Sequence, residues 1–201
     1  MIWFVDFEAS SLLPGSFPIE VAWVDMDGAG ESHLIRPTEE WLDGGYGWSH
    51  QSEAVHGISL DTLMRDGEPP ERVARRAAEV LAVAGDIVCS DAPGYDGGWM
   101  ETLLAEGGQE RGVRLADVAQ LYGFACRPLL DGLASLHGAE RERAEARVRN
   151  LAREIVAGAE EAERLRPRVR HRALADAEGL WRTWMAVQAG VARHMAEGGG
   201  R

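Results

Sequence analysis

The segment IWFVDFE at residues 2–8 decides the expected fold of this 201-residue chain. Its first part, Ile2–Val5, is continuously apolar and strand-favouring, as expected of a strand buried on both faces of a sheet. Asp6 and Glu8 follow at the end of that strand. Because alternate residues of a strand point to the same face, the two carboxylates are predicted to stand side by side.

The elements around this strand predict an α/β layered domain with a mixed sheet. Four further apolar segments bounded by turn residues or helices are predicted strands: Pro18–Val24, Ser32–Ile35, Asp86–Ser90 and Val113–Leu115. Four segments with apolar residues at helical spacing are predicted helices, at about 71–84, 97–105, 140–163 and 172–196. Ser59 is expected to cap a short helix ending at Met64, and residues 38–57 are predicted to form an irregular loop.

Length and composition indicate one domain over residues 1–196, followed by a disordered tail, 197–201. No apolar run reaches the ~20 residues of a membrane-spanning helix, and no signal-peptide apolar region is present. We therefore expect a cytoplasmic protein without a membrane partner. Cys89 and Cys126 are the only cysteines, which indicates free buried thiols rather than a disulfide framework or a zinc site.

The charge of the chain is strongly acidic. It has 21 cationic side chains, all of them arginine, and 33 acidic side chains, which gives a formal net charge of −12. Such a chain is not expected to coat long nucleic acid, although a metal-bridged site for a short anionic end stays possible. In the one dense cationic run, residues 164–172, Arg170 and Arg172 are candidate phosphate contacts, with pairing to surface acids as the alternative.

Three positions add to the acids of the first strand. Asp96 follows the predicted strand Asp86–Ser90 near a helix N-terminus, and His171 precedes Asp176 by five positions at the start of the last helix. Each has a simpler interpretation, as a helix cap or a surface side chain. Adjacent carboxylates repel, however, and burying them is costly unless a hard cation such as Mg²⁺ or Mn²⁺ compensates.

The order of these features resembles the DEDDh family of 3′–5′ exonucleases, which are ribonuclease-T-like enzymes. The segments FPIEV at 17–21 and VHGIS at 55–59 resemble further family segments, and the matches run from Ile2 to Trp181. The resemblance implies a ribonuclease-H-like, three-layer α/β fold with a mixed central sheet flanked by helices. It also implies that residues 1–196 form a single exonuclease domain.

The resemblance assigns catalytic roles to individual residues. Asp6, Glu8, Asp96 and Asp176 match the four acids that hold two divalent ions, Mg²⁺ or Mn²⁺, and His171 matches the general base. Asp6 and Glu8 are thereby catalytic as well as metal-binding. The implied reaction releases nucleoside 5′-monophosphates from the 3′ end of single-stranded DNA or RNA.

Substrate contacts are expected along the loop after the first strand. Ala9 and Ser11 depart from the family pattern D-x-E-T-[ST]-G, but Ser10 is expected to hydrogen-bond the terminal nucleotide and Leu12 to wedge against its base. His56 lies in the family segment that faces the substrate, where it has either a binding or a structural role.

Two other classes of function remain open at this point. The chain fits a catalytically weak nucleic-acid-binding module, or an interaction protein that uses the Arg/Glu-rich segment 140–163, for example in a homodimer. The enzyme interpretation is favoured because a binding module has no need to cluster four carboxylates.

Overall fold

The computed structural model describes residues 1–43, 47–109, 111–167 and 171–198. The strands are β1 (Ile2–Ala9), β2 (Pro18–Val24), β3 (Gly30–Leu34), β4 (Ile87–Ser90) and β5 (Leu115–Asp117). They form one five-stranded sheet in the order β3-β2-β1-β4-β5. Since β1 pairs antiparallel with β2 and parallel with β4, the apolar segment at residues 2–5 begins the central strand of a mixed sheet.

The chain combines this sheet with helices, which confirms the predicted α/β class. They are α1 (Glu39–Asp43), α2 (His50–His56), α3 (Leu60–Asp66), α4 (Pro70–Leu81), α5 (Pro93–Glu106), α6 (Val118–Ala125), a 3₁₀ helix (Arg127–Leu133), α7 (Gly138–Arg164) and α8 (Ala173–Gly198). Ser59 caps α3 as predicted, because its hydroxyl accepts a hydrogen bond from the Thr62 backbone N–H at 3.1 Å.

The main apolar core joins the sheet to α4 and α5. Val5 and Phe7 of β1 belong to one buried cluster with Ala77 of α4 and with Met100 and Leu103 of α5. Full burial of a side chain of this size contributes about 1.5–3 kcal/mol. The cluster therefore anchors α5 beside β1, and this placement brings the start of α5 to the end of the central strand.

The predicted loop at 38–57 is wrong, because this stretch contains α1 and α2. The Ser49 hydroxyl accepts a hydrogen bond from the Ser52 N–H at 3.2 Å, and Gly57 ends α2 in the left-handed conformation at φ 70°. These caps stabilise a seven-residue helix that is too short to show apolar periodicity. Residues 44–46 lie outside the described residues.

Several other boundaries differ from the predictions. Helix α5 begins at Pro93 rather than at about 97, since proline is favoured in the first turn, where its missing N–H has no partner to lose. Strand β5 lies two residues later than predicted, and α6 and the 3₁₀ helix were not predicted at all. The change at α5 matters most, because it puts Asp96 inside the first helical turn.

The described residues form two compact units. The first comprises Met1–Asp117 and Arg168–Glu178, and the second comprises Val118–Pro167 and Gly179–Arg201. A single domain over residues 1–196 stays a prediction. Helix α8 includes residues 197 and 198, where a disordered tail was predicted, and residues 199–201 lie outside the described residues.

Two smaller expectations can be compared with the structure. Cys89 and Cys126 are free and buried, as predicted. Among the described helices, none combines the length and the apolar character that crossing a membrane requires.

Candidate metal centre and substrate cleft

The first two acids of the site stand on the central strand. In the antiparallel register Asp6 lies opposite Ala22, and Glu8 lies opposite Glu20. Both acids are partly exposed, whereas Phe7 between them is buried on the other face. The predicted side-by-side arrangement therefore follows from the strand itself, and the register shift after Glu8 marks where the regular pairing ends.

Asp96 reaches the same edge of the sheet from α5. Strand β4 runs parallel to β1 and leads into α5, and the carboxyl ends of neighbouring parallel strands meet at one edge. Asp96 is only 2% exposed, and its Oδ2 has no hydrogen-bond partner among the described residues. A buried carboxylate oxygen without a donor is costly, and a cation is one way to satisfy it.

His171 and Asp176 come from the start of α8. The His171 backbone N–H donates to Asp176 Oδ2 at 2.8 Å, and His171 itself is exposed in the left-handed region at φ 57°. Ligand atoms of Glu8, His171 and Asp176 lie within 4.8 Å of one another. The predicted spacing from His171 to Asp176 thus places the imidazole and the carboxylate on one side of a tight turn, facing β1.

The pKa values connect the four acids electrostatically. Burial raises the pKa of Asp6 well above its ordinary value, and the charges of Asp96, Asp176 and Glu8 raise it further. Burial also raises the pKa of Glu8 to about 8, with Asp176 as the next cause, and that of Asp96 to about 7. Ionising Asp6, Glu8 and Asp96 together therefore needs added positive charge nearby.

These residues fit a divalent metal. The donors are carboxylate oxygens with one imidazole nearby, and hard cations such as Mg²⁺ and Mn²⁺ prefer oxygen ligands. The unpartnered Oδ2 of Asp96 and the raised pKa values of the cluster are the observations that support the fit.

A cleft of about 520 Å³ opens beside the cluster, within the ~300–1,000 Å³ typical of small-molecule sites. Its wall combines apolar and polar side chains from β1, the following loop, α2 and α5, together with His171. They are Phe7, Glu8, Ala9, Ser11, Leu12, Leu13, Ser49, Gln51, Ser52, Val55, His56, Trp99 and His171. The cleft has room for a terminal nucleotide next to the acids.

The loop after β1 uses its serines differently from the prediction. Ser10 is buried and its hydroxyl accepts a hydrogen bond from the Phe17 N–H at 3.0 Å, so it holds the loop and does not line the cleft. Ser11 lies in the cleft wall, and its buried hydroxyl accepts a hydrogen bond from the Leu13 N–H at 3.2 Å. Leu12 lines it too and is 67% exposed, which agrees with the predicted position of an apolar wedge.

His56 lies in the cleft wall at the end of α2. Its Nδ1 accepts a hydrogen bond from the Ile58 N–H at 3.1 Å, so the neutral ring carries its proton on Nε2. Burial lowers the pKa of His56, which favours this neutral form. Nε2 is buried without a hydrogen-bond partner among the described residues, and it is therefore a donor without a protein acceptor.

The two arginine candidates have different outcomes. Arg170 lies outside the described residues. Arg172 makes a bidentate pair with Glu20, from Nε to Oε2 at 3.0 Å and from Nη2 to Oε1 at 2.7 Å. Its guanidinium is thus already engaged by a carboxylate. Glu20 was missed as a site residue, although an acid inside the otherwise apolar strand PIEVAWV was a signal for it.

Comparison with known proteins finds solved structures with a similar fold but no relative by sequence. No protein-family model matches the sequence, and no curated protein matches it by sequence. The zinc-bound complex of E. coli exonuclease I with single-stranded DNA aligns at a TM-score of 0.63 and 15% identity, over 98% of this chain and 42% of that chain. A product-bound exonuclease I aligns at 0.61 and 13%, over 98% and 45%. The chain has a ribonuclease-H-like fold.

The sequence resemblance implied this ribonuclease-H-like fold, and the structural alignment confirms it. A second E. coli exonuclease I structure, in complex with a dT13 oligonucleotide, agrees at a TM-score of 0.63 and 14% identity, over 98% of this chain and 42% of that chain. The chain therefore spans less than half the length of these exonuclease I chains. At this level of identity the likeness establishes the fold, and the activity is a separate question.

Proposed function

We propose that this chain is a metal-dependent 3′–5′ exonuclease of the DEDDh type that releases nucleoside 5′-monophosphates. The observation that carries the proposal is the convergence of Asp6, Glu8, Asp96 and Asp176 at one edge of the sheet, where burial and neighbouring acids raise the pKa values of Asp6 and Glu8. The likeness to exonuclease I structures, several of them complexes with single-stranded DNA, supports a nuclease. Perturbed pKa values in a cleft are typical of catalytic sites.

The four acids would hold two divalent ions, Mg²⁺ or Mn²⁺. When bound, such ions supply a Lewis acid for the scissile phosphate and lower the pKa of water. Asp96 would contribute its unpartnered Oδ2. Asp176 would contribute its carboxylate as a further ligand. Its Oδ2 already accepts a hydrogen bond from the His171 backbone N–H.

His171 is the proposed general base. It is exposed, lines the cleft and lies beside Glu8 and Asp176, so its imidazole can reach a water molecule at the cluster. The imidazole nitrogen would accept a proton from the water that attacks the phosphorus atom. The bond from phosphorus to the 3′ oxygen then breaks, and the leaving oxygen is protonated as the 5′-monophosphate departs.

The proposed substrate is the 3′ end of single-stranded DNA or RNA. Leu12 and Trp99 provide apolar surface in the cleft for a base, and His56 Nε2 provides a donor for an acceptor atom of the terminal nucleotide. We assign substrate contact to Leu12 and His56 on this basis. A single strand suits the cleft, because its terminal base is free of a pairing partner.

The decisive experiment follows 5′-labelled single-stranded DNA and RNA incubated with purified protein. With Mg²⁺ or Mn²⁺ we expect a ladder that shortens from the 3′ end and releases 5′-monophosphates, and with chelator we expect intact substrate. A strand blocked by a 3′-terminal phosphorothioate is the matched control for direction. Binding without any cleavage in either metal would instead support the nucleic-acid-binding module.

Two expectations from the sequence, a homodimer and a cytoplasmic location, stay predictions. A homodimer is tested by the native mass of the purified chain over a range of concentrations. A cytoplasmic location is tested by fractionating cells that express the chain.

A further inference from the structure

Glu20 is a buried acid directly beside the site, although it is not among the proposed metal ligands. It lies opposite Glu8 in the β1–β2 register, so both side chains extend from the same face of the sheet. Its carboxylate is only 2% exposed and accepts hydrogen bonds from Arg172 Nε and Nη2, and from the Ala173 backbone N–H at 3.1 Å. All three donors belong to the start of α8.

We propose that Glu20 and Arg172 form a positioning clamp that sets His171 and Asp176 against Glu8. The proposal rests on the proposed function, because the clamp acts through the base and the metal ligand assigned there. Glu20 and Arg172 touch neither substrate nor metal in this account. They are positioning residues for the reaction.

The hydrogen bonds form a continuous path from the strand to the base. Glu20 on β2 holds Arg172 and the first N–H of α8, and the Arg172 carbonyl accepts the Asp176 backbone N–H at 3.1 Å. The Asp176 side chain in turn accepts the His171 N–H at 2.8 Å. The carboxylates of Asp176 and Glu20 thus fix the left-handed turn at His171, one at each end. Glu20 lies on β2, directly opposite Glu8 of β1.

A clamp made of charges also affects the cluster. Arg172 is a cation whose field acts on Glu8, while Asp176, Glu20 and Asp96 act on it as acids. Holding Arg172 in a bidentate pair keeps that positive charge at a defined place. The pair also restricts the side chain of Arg172, because breaking it would leave the buried carboxylate of Glu20 without a compensating charge.

The test replaces Glu20→Gln, which keeps the shape and removes the charge, and Arg172→Lys, which keeps the charge and removes the bidentate geometry. The matched control is Glu163→Gln, which removes another buried carboxylate that pairs with an arginine, Arg182, at 2.8 Å. Each variant is measured for kcat and KM on a single-stranded oligonucleotide, for Mn²⁺ affinity by titration, and for amide hydrogen exchange at residues 171–176.

We expect Glu20→Gln and Arg172→Lys to lower kcat and weaken Mn²⁺ binding by about 10–100-fold, with KM within about twofold, as for other residues that orient metal ligands. Amide exchange should accelerate at residues 171–176. Glu163→Gln should lower Tm while kcat, Mn²⁺ affinity and exchange at residues 171–176 stay at wild-type values.

Wild-type kcat, Mn²⁺ affinity and amide exchange in both clamp variants would overturn the proposal, as would equal losses in Glu163→Gln. If Glu20→Gln does not fold, Arg172→Lys is decided by the same three measurements. Should the wild-type chain neither cleave nor bind Mn²⁺, the proposed function fails, and the exchange rates at residues 171–176 alone then decide the clamp.

Discussion

In α7, Glu145 accepts a hydrogen bond from Arg141 Nε at 2.8 Å, and Glu161 accepts two from Arg164 at 2.6 Å. These arginines lower the pKa values of both glutamates. On β1 the opposite holds, because burial and neighbouring acids raise the pKa values of Asp6 and Glu8.

The difference shows which acids of a strongly acidic chain are candidates for chemistry. Along α7, partners at i+3 or i+4 neutralise charge locally on an exposed surface, and such pairs contribute little to stability. At the sheet edge, acids from three separate elements converge, and the charge of Arg172 only partly offsets the rise in the pKa of Glu8. That imbalance is stable only with an added cation or added protons.

The largest effect is expected when one acid is neutralised at the end of β1 and, for comparison, one acid on α7. Asp6→Asn should abolish detectable cleavage and weaken Mn²⁺ binding, because Asp6 is a proposed metal ligand on the central strand. Its metal-free stability should equal or exceed that of the wild type, since a repelling charge is removed. Glu161→Gln should keep activity within about twofold, as exposed pairs contribute little. Near wild-type turnover in Asp6→Asn would refute the site assignment.

Replacing the base rather than a ligand separates proton transfer from metal binding. His171→Ala should lower the single-turnover cleavage rate by about 10²–10⁴-fold, which is the usual contribution of a positioned base. Mn²⁺ affinity, measured in parallel by titration, should largely survive because four carboxylates remain. Loss of Mn²⁺ as complete as in Asp6→Asn would show that His171 is a ligand and not the base.

The two ends of α2 permit a matched test of substrate contact. His56→Phe removes the unpartnered Nε2 donor and should raise KM about tenfold, equivalent to about 1.4 kcal/mol, with kcat little changed. His50→Phe is the control, since the His50 side chain is 93% exposed and its Nδ1 lies 3.2 Å from Glu53. Steady-state kinetics on one oligonucleotide decide between them, and equal KM values in both variants would remove His56 from the substrate site.

The raised pKa values also predict how the metal-free protein responds to pH. The folded pKa of Glu8 is about 8 and that of Asp96 about 7, whereas unfolded carboxyls titrate near 4. Between these values the folded state binds more protons than the unfolded state, so stability falls as pH rises. In chelator, Tm should fall progressively from pH 5 to pH 8, by roughly 2–4 °C for each 1 kcal/mol of stability that is lost.

The control for this pH dependence is Glu8→Gln, which should flatten the slope. Saturating Mg²⁺ should raise Tm most at pH 8, where the carboxylates are ionised. A metal-free Tm that is constant or rises from pH 5 to pH 8 would contradict the raised pKa values.

The smallest expected effect is that of salt on oligonucleotide binding. Among the described residues that line the cleft, none is arginine. Each phosphate contact in a single strand contributes about 0.7 to the slope of log affinity against log salt concentration. We expect a slope of about 1 or less from equilibrium binding with Ca²⁺. A steep slope would instead assign phosphate contacts to the arginines of residues 164–172.

The apolar run before alternating acids was sufficient to predict β1, because that pattern depends only on neighbours in sequence. The assignment of Asp6, Glu8 and Asp96 to a site came from the order of the motifs along the chain, since each acid alone also fits a helix cap or a surface side chain. The inward position of Ser10 could not be predicted, since its hydroxyl bonds the backbone of Phe17, seven residues further along the chain. The pairing of Glu20 with Arg172 joins residues 152 positions apart, and only the folded chain shows it.

The left-handed backbone at His171 limits which residues can replace histidine without strain. Glycine reaches this region freely, asparagine and aspartate reach it more readily than most residues, and β-branched residues are strained in it. Random mutagenesis at this codon should therefore recover folded variants mainly with His, Gly, Asn or Asp, and among these only histidine supplies an imidazole. A library sorted first for folding and then for cleavage should return histidine alone from the second step.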